Sequence, residues 1–216
     1  MEKAGLWDRS RQRFGDGSEA GSGTAFIGET WPPSLPPWAT VAAWRAVTAA
    51  LDHHLRLSHI RRHGKIRQKA DAILRLLTRL DRPMDALSRE TCPTCEAPCC
   101  RRATLWYDFI DLLVMGHSGR SWPPGQPMVS VGAPCRYLGP AGCDLPRIQR
   151  PWICTWYLCP RQTTQQGAAS PPQRMAVIRM IAGVKRLRKE LEGAFIDAAM
   201  GAVTQRRIQM VAKGQK

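Results

Sequence analysis

All eight cysteines of this 216-residue chain fall between Cys92 and Cys159. They run Cys92-x2-Cys95-x3-Cys99-Cys100, then Cys135-x7-Cys143-x10-Cys154-x4-Cys159. Thiols so concentrated do one of three things: they pair as disulfides, they ligate a soft metal, or they act as nucleophiles or redox couples. The first pair, Cys92-Pro93-Thr94-Cys95, has the form of a metal knuckle, in which two thiolates grip one ion while the turn's N–H groups face the sulfurs. A C-x2-C pair also serves thioredoxin-like redox sites, but those open a helix after a strand, and no strand pattern precedes Cys92.

Compartment and count decide among the three. The N-terminus, MEKAGLWDRSRQRFGDG, is charged and lacks the apolar stretch and small-residue cleavage site of a secretory signal. No apolar run reaches the ~20 residues of a membrane span, since Arg45, Arg179 and Lys185 interrupt the longest ones. The expectation is a cytoplasmic chain that does not enter a membrane. In that reducing compartment structural disulfides are disfavoured. Metal chelation by Cys92, Cys95, Cys99, Cys100, Cys135, Cys143, Cys154 and Cys159 is the expectation that remains.

Adjacency limits how these ligands combine. Cys99 and Cys100 are neighbours, and bringing both sulfurs to one tetrahedral ion strains the backbone between them. Easier destinations are two irons of one cluster, two separate metals, or one ligand beside one supporting thiol. A site that takes Cys92 and Cys95 together with thiols of the second block would clip the segment into one unit. Four thiolates suit zinc or an iron–sulfur cluster, including [4Fe–4S], so the metal is zinc or iron. The radical triplet C-x3-C-x2-C and the bacterial ferredoxin run are both absent.

The elements that must position these thiols are helices. Residues 1–37 read as a flexible leader rich in Gly and Pro. Residues 38–83 read as a basic helical hairpin. Val41, Trp44, Thr48, Leu51 and Leu55 form one stripe, and Ile66, Ala70, Ile73, Leu74 and Leu77 a second after a break at Gly64. Pro83 is expected to stop that second helix. Residues 84–165 form the cysteine-cluster domain, mostly loop, with one helix near residues 107–115 and a short one starting at Pro151. Loops so long and aperiodic need an internal staple. Residues 166–216 carry a long basic helix announced by Ser170-Pro171-Pro172, with Ser170 as N-cap and Pro171 in the first turn. Its apolar stripe is Ile178, Ile181, Leu187, Leu191, Phe195 and Ala198. The expected fold is therefore mainly α, with helices around an irregular, loop-rich cysteine core.

Charge divides along the same lines. The chain's net +15 resolves into −1 for residues 1–37, +7 for 38–83, +2 for 84–169 and +7 for 170–216. The excess lies on the flanking helices and away from the thiols. Basic helices bind phosphate backbones, so nucleic acid is a possible partner, although no helix-turn-helix, paired-His finger or basic zipper is present. Protein partners are not indicated.

Other chemistry-bearing residues are sparser. His53, His54, His59 and His63 lie on the first helix, where His59 and His63 share a face but read better as ordinary surface residues. His117 follows the central helix and could join the thiols. Asp108 and Asp111, three residues apart, read as a solvated face. Arg150 is placed to bond a sulfur or a carbonyl. No phosphate-cradling Gly loop, nucleophile elbow or Ser-His-Asp set appears, so catalytic residues stay unassigned.

Three blocks, CPTCEAPCC (Cys92 to Cys100), CRYLGPAGCDL (Cys135 to Leu145) and RPWICTWYLC (Arg150 to Cys159), together resemble the YkgJ family of cysteine-cluster proteins, described as a putative zinc- or iron-chelating domain. The likeness covers about a third of the chain, roughly residues 90–160. This chain carries one more residue before Cys99 than the family's C-x2-C-x2-C-C form. The resemblance implies metal chelation and raises Arg150 as a site residue. Some relatives, similar to flagellin lysine methylases, imply an iron–sulfur-dependent methyl-transfer reaction. A zinc-stabilised nucleic-acid-binding module is the third reading.

Overall fold

A computed structural model describes residues 36–57, 64–96, 98–101, 105–130, 132–140 and 142–212, excepting the side chains of residues 54, 56, 57, 205–208 and 210–212. The chain divides at Pro36, and everything below concerns the unit that begins at Pro37. The expected leader, apart from its last two residues, and the expected His59 and His63 lie outside the described residues.

The architecture is mainly α, as the periodicity requires. In chain order the helices are α1 (Val41–Leu57), α2 (Gly64–Thr91), α3 (Phe109–His117), α4 (Ile153–Trp156), α5 (Pro160–Ala168) and α6 (Pro171–Ala212). Single 3-10 turns cover Cys99–Arg101 and Arg147–Gln149. Two short strands, β1 (Leu138–Gly139) and β2 (Gly142–Cys143), pair antiparallel with Leu138 opposite Cys143. Among the described residues no helix is long and apolar enough to cross a membrane.

Packing departs from the hairpin that the sequence implies. α2 lies mainly along α6, while α1 lies on α3. The reason is the amount of apolar surface each helix must cover. α2 buries Ile66, Ala70, Ile73, Leu77, Leu80, Met84 and Leu87 in a stripe the length of the helix. Only α6, which buries Val177, Val184, Leu191 and Ala198 at heptad-like spacing, matches that length. Ile110, Leu113 and Val114 of α3 complete this core. The other side of α3 forms a smaller core in which Trp44, Tyr107, Leu112 and Met115 meet. The tryptophans there also bond backbone: Trp44 Nε1 donates to Pro123 O at 2.9 Å and Trp38 Nε1 to Tyr107 O at 2.8 Å.

Three sequence expectations need correction. First, α2 does not stop at Pro83 but continues through it to Thr91. Proline in a helix interior costs ~3 kcal/mol. The stripe resumes beyond it with Met84, Leu87 and Thr91, all buried, and their packing outweighs that cost. Second, Asp108 and Asp111 are not a solvated face. Asp108 is the N-cap of α3 and forms a reciprocal capping box with Asp111. Asp111 is buried, and Arg188 of α6 donates to it at 2.7 Å and to Asp108 at 2.6 Å. Third, residues 160–168 are helical rather than loop. The polar sequence PRQTTQQGA carries no stripe, so periodicity is silent, but Pro160 in the first turn and Gln162 at the third position are helix-start signals.

The excess positive charge sits where the sequence places it. Arg67, Arg75, Arg79 and Arg82 are exposed on α2, as are Lys185, Arg186 and Lys189 on α6.

Two tests follow from these helices. Pro83→Ala should raise stability by about 1–2 kcal/mol, since the regained helical bond exceeds the extra entropy of the unfolded chain; denaturant unfolding would show a higher midpoint at unchanged slope. The second concerns pH. Burial, and then Asp108, raise the Asp111 carboxyl from 3.8 to about 7 against the pull of Arg188. A carboxyl raised on folding adds stability below its unfolded pKa, and that stability is lost as pH rises through the folded value. Arg188→Met should therefore cost about 3–5 kcal/mol, with a larger loss near pH 8 than near pH 5. Urea unfolding at the two pH values checks this, and an equal loss at both would contradict it.

Candidate metal centre

The thiols enter the structure from three directions. Cys92 and Cys95 lie in the turn that follows α2, and the Cys95 N–H donates to Cys92 O at 3.1 Å. Cys99 and Cys100 occupy a 3-10 turn. Cys135 precedes the β1–β2 hairpin and Cys143 ends it, whereas Cys154 lies in α4 and Cys159 caps α5. The hairpin's shape depends on glycine. Gly142 has φ +116°, and a Cβ on Gly139 would lie 2.3 Å from Asp144 Oδ1. The Cys135 N–H donates to Cys100 O at 2.8 Å, tying this hairpin to the first cysteine block.

Two polar clasps tie the cysteine blocks to the helical frame. One is Asp85 of α2, which takes both Arg147 and Arg150, the latter at 2.8 Å. Arg150 also donates to Leu145 O at 2.8 Å and to Cys143 O at 3.5 Å, and Arg147 donates to Cys154 O at 3.4 Å. Arg147 is 1% exposed. Arg150 thus bonds carbonyls, one of the two partners expected of it, and the cysteine it holds is held by its backbone. The other clasp belongs to α5. Arg161 donates to Thr94 O and Oγ1 at 3.0 and 2.7 Å, inside the knuckle. Gln162 donates from Nε2 to Cys92 Sγ at 3.8 Å and accepts from the Cys159 N–H at 3.4 Å.

All eight cysteines are free thiols, none in a disulfide. Their electrostatic environment records how they converge. Burial pushes the Cys92 thiol up, and Cys99, Cys159 and Cys95 push it the same way. Burial likewise raises Cys154 well above its ordinary value, with Cys143, Cys135 and Cys99 adding to it. Burial raises Cys135 too, and Cys143 and Cys99 are among its neighbours. Adjacent Cys99 and Cys100 titrate as a pair: Cys100 lowers the Cys99 thiol, and Cys99 with burial raises Cys100.

As a donor set these residues fit a soft metal: thiols from separated segments, within electrostatic range, held from behind by backbone bonds. Their present side-chain rotamers do not close a coordination sphere. Among the described residues no group of three or more His, Cys, Asp or Glu stands in a metal-holding arrangement. Coordination would therefore require thiol rotation. Two histidine side chains are described, those of His53 and His117. His117 Nδ1 bonds Leu113 O of its own helix at 2.8 Å, and His53 is exposed.

Asp85, Arg147, Arg161 and Gln162 were not singled out in the sequence. Of these only Gln162 had a local signal, the third position of a helix that starts Cys-Pro; the others act across long sequence separations. Comparison with protein-family models, curated proteins and solved structures finds no match.

Asp85→Asn keeps the shape of the first clasp and removes its charge. It should cost about 3–5 kcal/mol, because buried Arg147 loses its carboxylate. Timed alkylation with mass-spectrometric readout should then show Cys143 and Cys154 reacting sooner than in the parent, and an unchanged order would contradict the clasp's role.

Proposed function

We propose that this protein is a metal-chelating cysteine-cluster protein whose thiolates hold zinc or iron. The observation that carries the reading is the concentration of eight free thiols within 68 residues of sequence, in one loop-rich region. Incidental core cysteines would be dispersed through the helical core. Here neither of the two described apolar clusters contains one, and only Cys135 is buried.

Chelation answers a structural need of that region. Between α2 and α5 the backbone is mostly turns, one two-residue hairpin and short helices. Bound zinc would be redox-silent and act as the staple; bound to thiolates in small domains it contributes on the order of 10 kcal/mol of folding free energy. The resemblance of the three cysteine blocks to the YkgJ family supports the same reading and rests on those residues alone.

A second reading, an iron–sulfur-dependent enzyme, is favoured by one feature. Adjacent thiolates at Cys99 and Cys100 are easily placed on different irons of a cluster.

Metal and acid-labile sulfide measured in full-length protein purified without oxygen test the proposal. Bound zinc or iron is expected, with most thiols protected from alkylation until a chelator is added. Sulfide with iron selects the second reading. A chain without metal and with eight reactive thiols would refute chelation altogether.

A further inference from the structure

The positive charge of the two long helices plays no part in holding the thiols. Residues 38–83 and 170–216 each carry a net +7, and the longest helices of these segments, α2 and α6, pack against each other. Two contacts fix their register. Lys69 pairs with Glu190, and a Cβ on Gly183 would meet Leu76 Cδ1 at 3.2 Å. Seven residues forward on α2 are thus seven residues back on α6, so the two helices run antiparallel.

Each helix carries a basic row on the side away from its buried stripe. On α2, Arg75, Arg79 and Arg82 recur at i, i+4 and i+7, and all three are exposed. On α6, Arg179, Arg186 and Lys189 recur at i, i+7 and i+10, turned away from Val184 and Leu191, and are exposed too. The antiparallel register sets Arg79 beside Arg179 and Arg75 within a turn of Arg186. Carboxylates on these helices are engaged elsewhere: Asp71 with Arg67, Asp85 with Arg147 and Arg150, and Glu190 with Lys69. Among the described residues only Arg186 of the six has an acidic neighbour, Glu190 at 3.8 Å, and its side chain stays 74% exposed.

We propose that this two-helix face binds the phosphate backbone of duplex nucleic acid without reading its sequence. Arginine forks match phosphate oxygens in pairs. The row from Arg75 to Arg82 is about 10 Å long at 1.5 Å per residue, a length over which one strand of a duplex presents about three phosphates. Two helices side by side are too broad for a major groove that admits one, so the contact is to backbone and not to base edges. A single strand is disfavoured, because α2 has no aromatic residue and α6 none before Phe195, which leaves no platform for stacking bases. A lipid surface is disfavoured as well. The exposed large apolar residues of α6, Met175, Ile196, Met200 and Val203, lie beyond the two ends of its basic row, and α2 exposes none to insert among acyl chains.

The test reads affinity against salt. Full-length protein, purified without oxygen, is titrated into a fluorescein-labelled DNA duplex of arbitrary sequence, and anisotropy is followed between about 50 and 200 mM salt. Micromolar binding at the low end is expected, weakening with a log–log slope of about −5. Arg75→Gln with Arg79→Gln should weaken binding about tenfold or more and make the slope shallower by about 2. Arg75→Lys with Arg79→Lys should keep the slope. Arg45→Gln with Arg120→Gln removes the same charge from exposed positions on α1 and after α3, and should leave affinity within about twofold. Equal losses in the two glutamine variants would overturn the assignment of this face. So would no binding at low salt, or tighter binding to the single strand or to vesicles of anionic phospholipid. The face contains no thiol, so its failure and the failure of chelation are read separately.

Discussion

Asp85 is the point from which the cysteine region is hung. Its carboxylate takes two guanidiniums, Arg147 and Arg150, from a loop that no hydrophobic stripe could anchor. The pairing works because one arginine is almost wholly enclosed. A buried guanidinium without a carboxylate is costly, so the loop cannot drift from α2 without exposing or orphaning that charge. Each arginine then extends a second donor to a carbonyl, of Cys154 or Cys143. Charge burial in the frame thus becomes positional order at the thiols.

A similar device operates at α3. Arg188 reaches from α6 to the capping box of Asp108 and Asp111 and lies 5.5 Å from the Trp152 ring centroid. Asp111 also accepts from the Trp152 N–H at 3.1 Å, immediately before α4. One buried carboxylate therefore links the long helix, the central helix and the segment bearing Cys154. Apolar packing alone would fix the helices on one another but say little about the register of the loops. Directional bonds to buried charges supply that register.

The thiols stand in a different regime from these clasps. Burial and neighbouring thiols raise Cys92, Cys100, Cys135 and Cys154, which disfavours their simultaneous ionisation. That mutual disfavour is what a cation relieves. A divalent ion among thiolates reverses the sign of the local interaction and turns crowding into attraction. Under the proposed chelation, helical frame and loops would be complementary halves: the frame gathers the sulfurs, and the ion would compensate for their proximity.

What the amino-acid order determined alone is local: helix positions in α1, α3 and α6, the Ser170–Pro171 start, and the run of thiols from Cys92 to Cys159. Repeating apolar spacing and capping residues encode these within a few turns of chain. Partnerships were decided by the tertiary structure. α2 runs through Pro83 because its stripe finds α6, and Asp111 is buried because Arg188 arrives from α6 to meet it. Asp85 and Arg147 lie 62 positions apart, and their meeting depends on the whole fold. Interactions whose partners are near in sequence leave a periodic trace; those closed across the fold do not.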